Sequence, residues 1–344
     1  MSFRFLVFSF ELGRVVALAI AALCFLAVGH NVAIGQDVKS LAEAEGKLMF
    51  YAAFNATDTK TLTDGFQKLY PKIESSFYRA TDAQLMERIL TENRAGKPFW
   101  DVVMTTTFYG YNLKKRGLFG VYDSPERKFF RDGYKDPQAM WTSLYTNYAA
   151  FGYNTRAVPK TSVPKSFADL LKPEWKGNVG LDSRPYEWFG TTIKAMGEEK
   201  GLAYMRELAK QATLRNGRTI LSQLVAAGEF KGALTAYSQT FETLKPAGAP
   251  VEWVYLNPVF ANTHPVGMAA KAPHPNAAKL FIDFLLSKRG QELVRGMSRI
   301  PDRSDTPPEQ ARYIEGVKPA FAPNEVLDNF EAYAKTFHEI FGGR

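Results

Sequence analysis

Four short stretches of this chain place hydrogen-bonding or charged side chains just beyond runs of strand-forming residues. They are Phe54-Asn55-Ala56-Thr57, Thr105-Thr106-Thr107, Asp182-Ser183-Arg184 and Tyr237-Ser238-Gln239. Hydroxyls, amides and a guanidinium at such places suit capture of a small ligand, because open α/β sheets bind ligands outside the carboxyl ends of their strands. Helix N-termini there add free backbone N–H groups and partial positive charge. The candidate ligand-binding residues are therefore Asn55, Thr57, Thr105, Thr106, Thr107, Asp182, Ser183, Arg184, Tyr237 and Ser238. Each also has a plainer use. Asn55, Asp182 and Ser183 are helix-capping types, and threonines at a strand end bond their own backbone. Arg184 would serve as a surface charge. Tyr237 would serve as a half-buried aromatic with its hydroxyl on backbone. Tyr186 and Trp188 suit packing, or an aromatic wall for an organic ligand.

Catalytic sets are missing from this inventory. Beyond the N-terminal leader the histidines are His264, His274 and His338, and no two stand at metal-ligand spacing. There is no G-x-x-x-x-G-K-[ST] phosphate cradle, no H-E-x-x-H and no compelling Ser-His-Asp order. Cys24 is the single cysteine. If the leader is removed, disulfides, thiolate metal sites and a cysteine nucleophile are excluded together, which suits an oxidising compartment.

The elements that position these stretches read as alternating strands and helices. Lys47 to Ala53 is a strand, Thr57 to Tyr70 a helix stopped by Pro71, and Ile73 to Tyr78 the next strand. Thr81 and Gln84 form a capping-box pair that opens a second helix. Trp100 to Met104 is a third strand, so the opening third implies a mostly parallel sheet with helices on its faces. The pattern returns with a strand at Asn178 to Leu181 and helices at Tyr186 to Ala195, Glu199 to Ala212 and Thr219 to Ala227. Strands follow at Gly232 to Ala236 and Val251 to Tyr255. Pro275 opens a helix at its first position, and Asn324 to Ile340 forms a last helix.

At the N-terminus Arg4 and Arg14 precede and flank the apolar run Val15 to Val28, and Ala33-Ile34-Gly35 offers small residues before Gln36. This is the pattern of a cleaved export signal over residues 1–35. The run is shorter than the roughly 20 residues that span a bilayer, and Leu23 before Cys24 does not suit a lipid anchor. Gln36 to Arg344 is long enough for two domains. The net charge of +8 is scattered without long Lys/Arg runs, so nucleic acid is not an expected partner. The charge carries a mild bias toward anionic ligands.

Several segments resemble the extracellular solute-binding family whose best-known members bind ferric iron. They are EGKLMFYAAFN, YRATDAQLMERILTENRAGKPFWDVV, Tyr153-Asn154-Thr155 with FADLLKPEWKGNVGLDS, and GAPVEWVYLNPV followed by APHPNAAKLFIDFLLSKRGQELV. The resemblance runs roughly from Glu45 to Asp305. It implies an α/β, two-lobed type II periplasmic-binding fold, each lobe a mostly parallel sheet flanked by helices, joined by two crossover strands. The expected lobes are 36–147 plus 263–317 and 148–262 plus 318–344, with a ligand cleft between them.

The resemblance also implies a role. A monomeric periplasmic receptor would close on iron(III) or an iron complex and deliver it to an ABC permease and its ATPase. It would use no cofactor and catalyse no reaction. The family's ferric members use adjacent tyrosines where this chain has Tyr237-Ser238, so Tyr237 is the one phenol left as a metal ligand. Their histidine falls near Phe54 to Ala56 and their carboxylate near Thr106, where this chain has neither. Two routes follow: iron carried as an anionic chelate, or a small organic anion such as a carboxylate, phosphonate or sulfonate. A sensor subunit and a secreted enzyme on the same fold are the remaining readings.

Overall fold

A computed structural model describes residues 38–342. Residues 38–45 are helical (α1) and feed β1 (Lys47–Ala52), α2 (Ala56–Leu69), β2 (Glu74–Arg79), α3 (Asp82–Arg94), β3 (Val102–Met104) and α4 (Thr107–Lys115). The long strand β4 (Thr142–Asn154) leads to β5 (Val179–Asp182), α5 (Tyr186–Met196), α6 (Glu198–Ala209), β6 (Ala212–Arg215), α7 (Arg218–Ala227), β7 (Gly232–Tyr237), α8 (Ser238–Leu244) and β8 (Val251–Val254). A second long strand, β9 (Val259–Met268), precedes α9 (Pro275–Leu286), α10 (Lys288–Gly296), β10 (Pro319–Ala320), α11 (Asn324–Asp328) and α12 (Phe330–Phe341).

The strands follow the order β2-β1-β3-β9-β4-β7-β5-β6, with β10 on β9 and β8 on β4. β2, β1 and β3 are parallel, as are β7, β5 and β6. β9 and β4 run antiparallel to each other and to the lobe strands beside them. Each lobe is thus a small parallel sheet edged by one long strand, and β4 and β9 carry the chain between lobes. Both are buried along their whole length, as strands covered on two faces must be.

Alternation along the strands sends side chains to separate cores. In the first lobe Phe50, Val102, Met104 and Val266 pack with Phe66, Phe281 and Phe284 on the α2/α9 face. Tyr51 and Val103 turn to the other face with Ile89, Trp100 and Leu113. In the second lobe Val179, Leu181 and Leu234 pack with Trp188, Phe189 and, from α12, Phe337 and Phe341. The opposite face gathers Val225, Ala236, Phe241 and Trp253, joined by Ile300 and Tyr313.

The structure corrects several expected elements. The helix expected to reach residue 212 stops at Ala209, and Ala212–Arg215 pairs with β5 as an edge strand. The last helix is two, because Asn329 breaks it. The third strand starts at Val102, and Asp101 just before it holds the Met49 N–H through its side chain at 2.8 Å. The threonine stretch opens α4, a helix the sequence reading did not contain.

A candidate anion site between the lobes

The second-lobe wall is built by β7. Between Ala150 and Gly152 its pairing with β4 shifts register, and the extra residue on β7 leaves Thr235 at φ 66°. A bulge of this kind re-aims the strand end. A β-branched residue at positive φ costs about 1–3 kcal/mol, and Thr235 is held there by its hydroxyl, which bonds the Leu234 carbonyl at 2.6 Å and accepts the Asp182 N–H at 3.2 Å. Tyr237 follows, half-buried, at the carboxyl end of the strand.

The phenol oxygen of Tyr237 accepts two hydrogen bonds, one from Arg218 Nη1 and one from Asn262 Nδ2 at 2.9 Å. The Arg218 guanidinium also lies over the Tyr237 ring, 4.9 Å from its centroid. Burial pushes the Tyr237 phenol up, against the pull of Arg218 and Asn262, so the group is protonated near neutral pH. A phenol that accepts twice keeps its own O–H to donate. Arg218 opens α7 just after Gly217, whose φ of 101° lets the chain turn into the helix. Asp182 fixes this corner: its carboxylate accepts from Gly217 N–H and from Arg218 Nε, each at 3.3 Å. The amide oxygen of Asn262, in a residue 5 % exposed, has no hydrogen-bond partner.

The first-lobe wall carries a second arginine. Arg299 lies over the ring of Phe54 at 4.9 Å and over Tyr145 at 5.4 Å, and its Nη2 bonds Asp58 at 3.0 Å. Tyr145 in turn stacks on His264 at 3.9 Å. His264 Nδ1 faces the Tyr145 carbonyl at 3.2 Å, an acceptor only, so Nδ1 carries the proton. Burial, aided by the charges of Arg299 and Arg218, pushes His264 down to about 3, so it is neutral near neutral pH.

The other expected residues divide. Asn55 caps α2, accepting the Asp58 N–H at 2.8 Å, and stays exposed with Thr57 at the rim. Thr105 is buried and donates its hydroxyl to Asp82, which also takes the Thr106 N–H at 2.9 Å. Thr106 is the N-cap of α4 without a side-chain cap bond. Thr107 shares a hydrogen bond of 2.9 Å with the hydroxyl of Thr263. Thr263 points to the face of β9 opposite Asn262 and His264, because strand side chains alternate. Ser183 is tied by its backbone to Arg215 at 2.9 Å, and the exposed Arg184 reaches Asn216 at 3.1 Å. Ser238, expected to touch the ligand, is instead wholly buried and accepts from Tyr255 at 2.9 Å. Arg218, Asn262 and Arg299 were not among the sequence candidates. Only Arg218 had a signal, its place after a glycine at a helix start.

These groups can do one thing well. Two guanidinium groups and a phenol O–H favour an anion, and the unpaired amide oxygen of Asn262 would accept from a donor on the same ligand. The nearby carboxyl groups Asp58, Asp82, Asp182 and Glu187 are engaged with Arg299, with Thr105 and Thr106, with Arg218, and with the Phe108 N–H. Among the described residues no group of three His, Cys, Asp or Glu side chains could hold a metal ion.

The fold is of the type II periplasmic-binding class. Iron-bound HitA from Pseudomonas aeruginosa superposes with a TM-score of 0.75 at 20 % identity, over 86 % of this chain and 99 % of that one. The sequence profile of the bacterial extracellular solute-binding protein family matches residues 97–329, and the chain belongs to that family. Its members are binding proteins, the substrate-capturing components of ABC importers. The chain is 24 % identical over 265 residues to an Fe(3+)-binding periplasmic protein of Serratia marcescens, covering 74 % of this chain and 78 % of the relative. It is 25 % identical over 226 residues to a protein of Salmonella typhimurium named as a putative 2-aminoethylphosphonate-binding periplasmic protein, covering 60 % and 66 %. Among the described residues no helix is long and apolar enough to cross a membrane. The expected leader lies outside those residues.

Proposed function

We propose that this receptor captures a small organic anion, a carboxylate, phosphonate or sulfonate, between Arg218 and Tyr237 of one lobe and Arg299 of the other. One observation carries the reading: the Arg218 guanidinium donates to the phenol oxygen that a ferric ion would need. A fixed cation on that oxygen repels a trivalent metal and attracts an anion. Ferric ion is a hard cation that wants several oxygen donors. Here one phenol is already engaged, and the neighbouring carboxylates are bonded elsewhere. The phosphonate-binding name of the Salmonella relative fits the same chemistry. The protein acts after export to the periplasm, as a monomer without catalysis, and passes its ligand to an ABC permease driven by its ATPase.

Calorimetric titration of the metal-free protein tests this, with panels of phosphonates, carboxylates and sulfonates beside ferric citrate and weakly chelated ferric ion. Binding of a metal-free anion that is lost in Arg218→Ala supports the reading. Stoichiometric uptake of ferric ion without a synergistic anion, undiminished in Arg218→Ala, overturns it.

A further inference from the structure

One carboxyl group at the lobe interface stands beside the anion site, facing Arg218 and Tyr237. Glu187 lies in the first turn of α5, and its Oε1 accepts the N–H of Phe108, in the first turn of α4 on the other lobe, at 3.1 Å. Thr106, the N-cap of α4, gives that helix no side-chain cap. A carboxyl oxygen, charged or protonated, that accepts an uncapped first-turn N–H is favourable on hydrogen-bond grounds. The neighbouring contacts also run from lobe to lobe. Phe108 stacks on Phe330 at 3.9 Å, and Lys115 pairs with Asp328.

We propose that Glu187 is an internal latch: it seats the chain's own carboxyl group on the N-terminus of α4 and so draws the lobes together before any ligand binds. The latch takes the helix end that an anionic ligand would otherwise use. The ligand's charge is thereby directed to Arg218 and Arg299, and part of closure is completed before capture. A receptor that populates its closed form in advance loses less affinity to the conformational change.

The latch is also proton-linked. Arg218 from α7, Asp82 from α3, Tyr237 from β7 and Tyr109 from α4 face Glu187 together with the Phe108 N–H. Burial raises Glu187 to about 7 in this closed arrangement, Asp82 adds to the rise, and Arg218 opposes it. Parting the lobes returns the carboxyl to water and to its ordinary value near 4.5. Between those values the closed form holds a proton that the open form lacks. Acidification through about 7 therefore favours closure, and alkaline pH weakens it.

Residues 38–342 contain no cysteine, so Lys97→Cys and Lys200→Cys, exposed positions on the two lobes, accept a fluorophore pair. Single-molecule energy transfer without ligand then reads the closed-to-open ratio at about pH 5 and about pH 8. The expected ratio rises about tenfold or more toward pH 5 in the otherwise unchanged protein. It falls about five- to tenfold at pH 5 in Glu187→Ala. In Glu187→Gln, which keeps the accepting oxygen, closure persists and its pH dependence flattens. Identical ratios in all three proteins, or a receptor open at every pH, overturn the latch. Because no ligand is present, neither result depends on which anion the cleft takes.

Discussion

At the scale of single residues the site is a short chain of bonds: Asp182 holds Arg218, Arg218 holds Tyr237, and Tyr237 is braced by Asn262. Truncating Arg218 removes the charge that receives the ligand and leaves Asp182 buried without its partner. Arg218→Ala is expected to weaken anion binding about a hundredfold and to lower folding stability by about 3 kcal/mol, read by calorimetry and urea unfolding. Arg218→Lys keeps the charge but not the two-armed contact to Asp182 and Tyr237, and should fall between. Unchanged affinity in Arg218→Ala would remove the arginine from the site. Tyr237 was legible in the sequence because a polar residue ending a strand is a local pattern. Asn262 and Arg299 were not, because their partners Tyr237 and Asp58 are 25 and 241 residues away. Ser238 misled for the same reason: only the fold reveals that Tyr255 covers it.

At the scale of elements, helix ends decide how the first lobe is assembled. The Thr81–Gln84 capping box was readable four residues at a time, and it is present. The end of α9 was not readable, since its cap comes from far away. Its own N-cap residue, His274, makes no side-chain cap bond. Glu45 supplies one instead, accepting Asn276 N–H at 3.1 Å, Asn276 Nδ2 at 2.7 Å and Ala277 N–H at 2.7 Å. Helix α9 carries Phe281, which meets Phe50 at 5.0 Å and Phe66 at 5.0 Å in the core. Glu45→Ala should cost about 1–2 kcal/mol, seen as a lower urea midpoint with an unchanged slope. No loss of midpoint would mean that water caps α9 as well as Glu45 does. Two of the elements missed or misdrawn in the sequence, α4 and β6, have physical explanations. Thr-Phe-Tyr-Gly-Tyr at the start of α4 are weak helix formers, so tertiary packing outweighs propensity there. Ala212–Arg215 continues the composition of the preceding helix and becomes a strand only because β5 offers an edge to pair with.

At the scale of the whole molecule, two long strands, β4 and β9, join two parallel sheets into one receptor. That architecture was legible because the chain's segments resemble those of the solute-binding family in the same order, whereas the chemistry of the cleft depends on side chains contributed from both lobes. Buried acids give the folded molecule a pH signature. Burial raises Asp302 to about 7, opposed by its hydrogen bonds to Ser143 and Thr146. A carboxyl raised on folding stabilises fully below its unfolded value, about 3.9, and loses that contribution as pH rises through 7. Glu187 acts in the same direction while the lobes are closed, and His264, lowered by burial, acts in the opposite one. Two groups against one leave a net fall, so the thermal midpoint should be higher at about pH 5 than at about pH 8. Asp302→Asn should shrink that difference, and a difference that survives unchanged would show that Asp302 does not carry it.

An anion held on Arg218 and Tyr237, rather than a bare metal ion, is the occupant proposed for the cleft. The most direct measurement is native mass spectrometry of the protein purified from the periplasm of the producing cells, with metal analysis and visible absorbance on the same sample. The account predicts a metal-free protein without a visible band, carrying an added organic mass that is absent from Arg218→Ala. Stoichiometric iron with a tyrosinate-to-iron absorption band that disappears in Tyr237→Phe would contradict it.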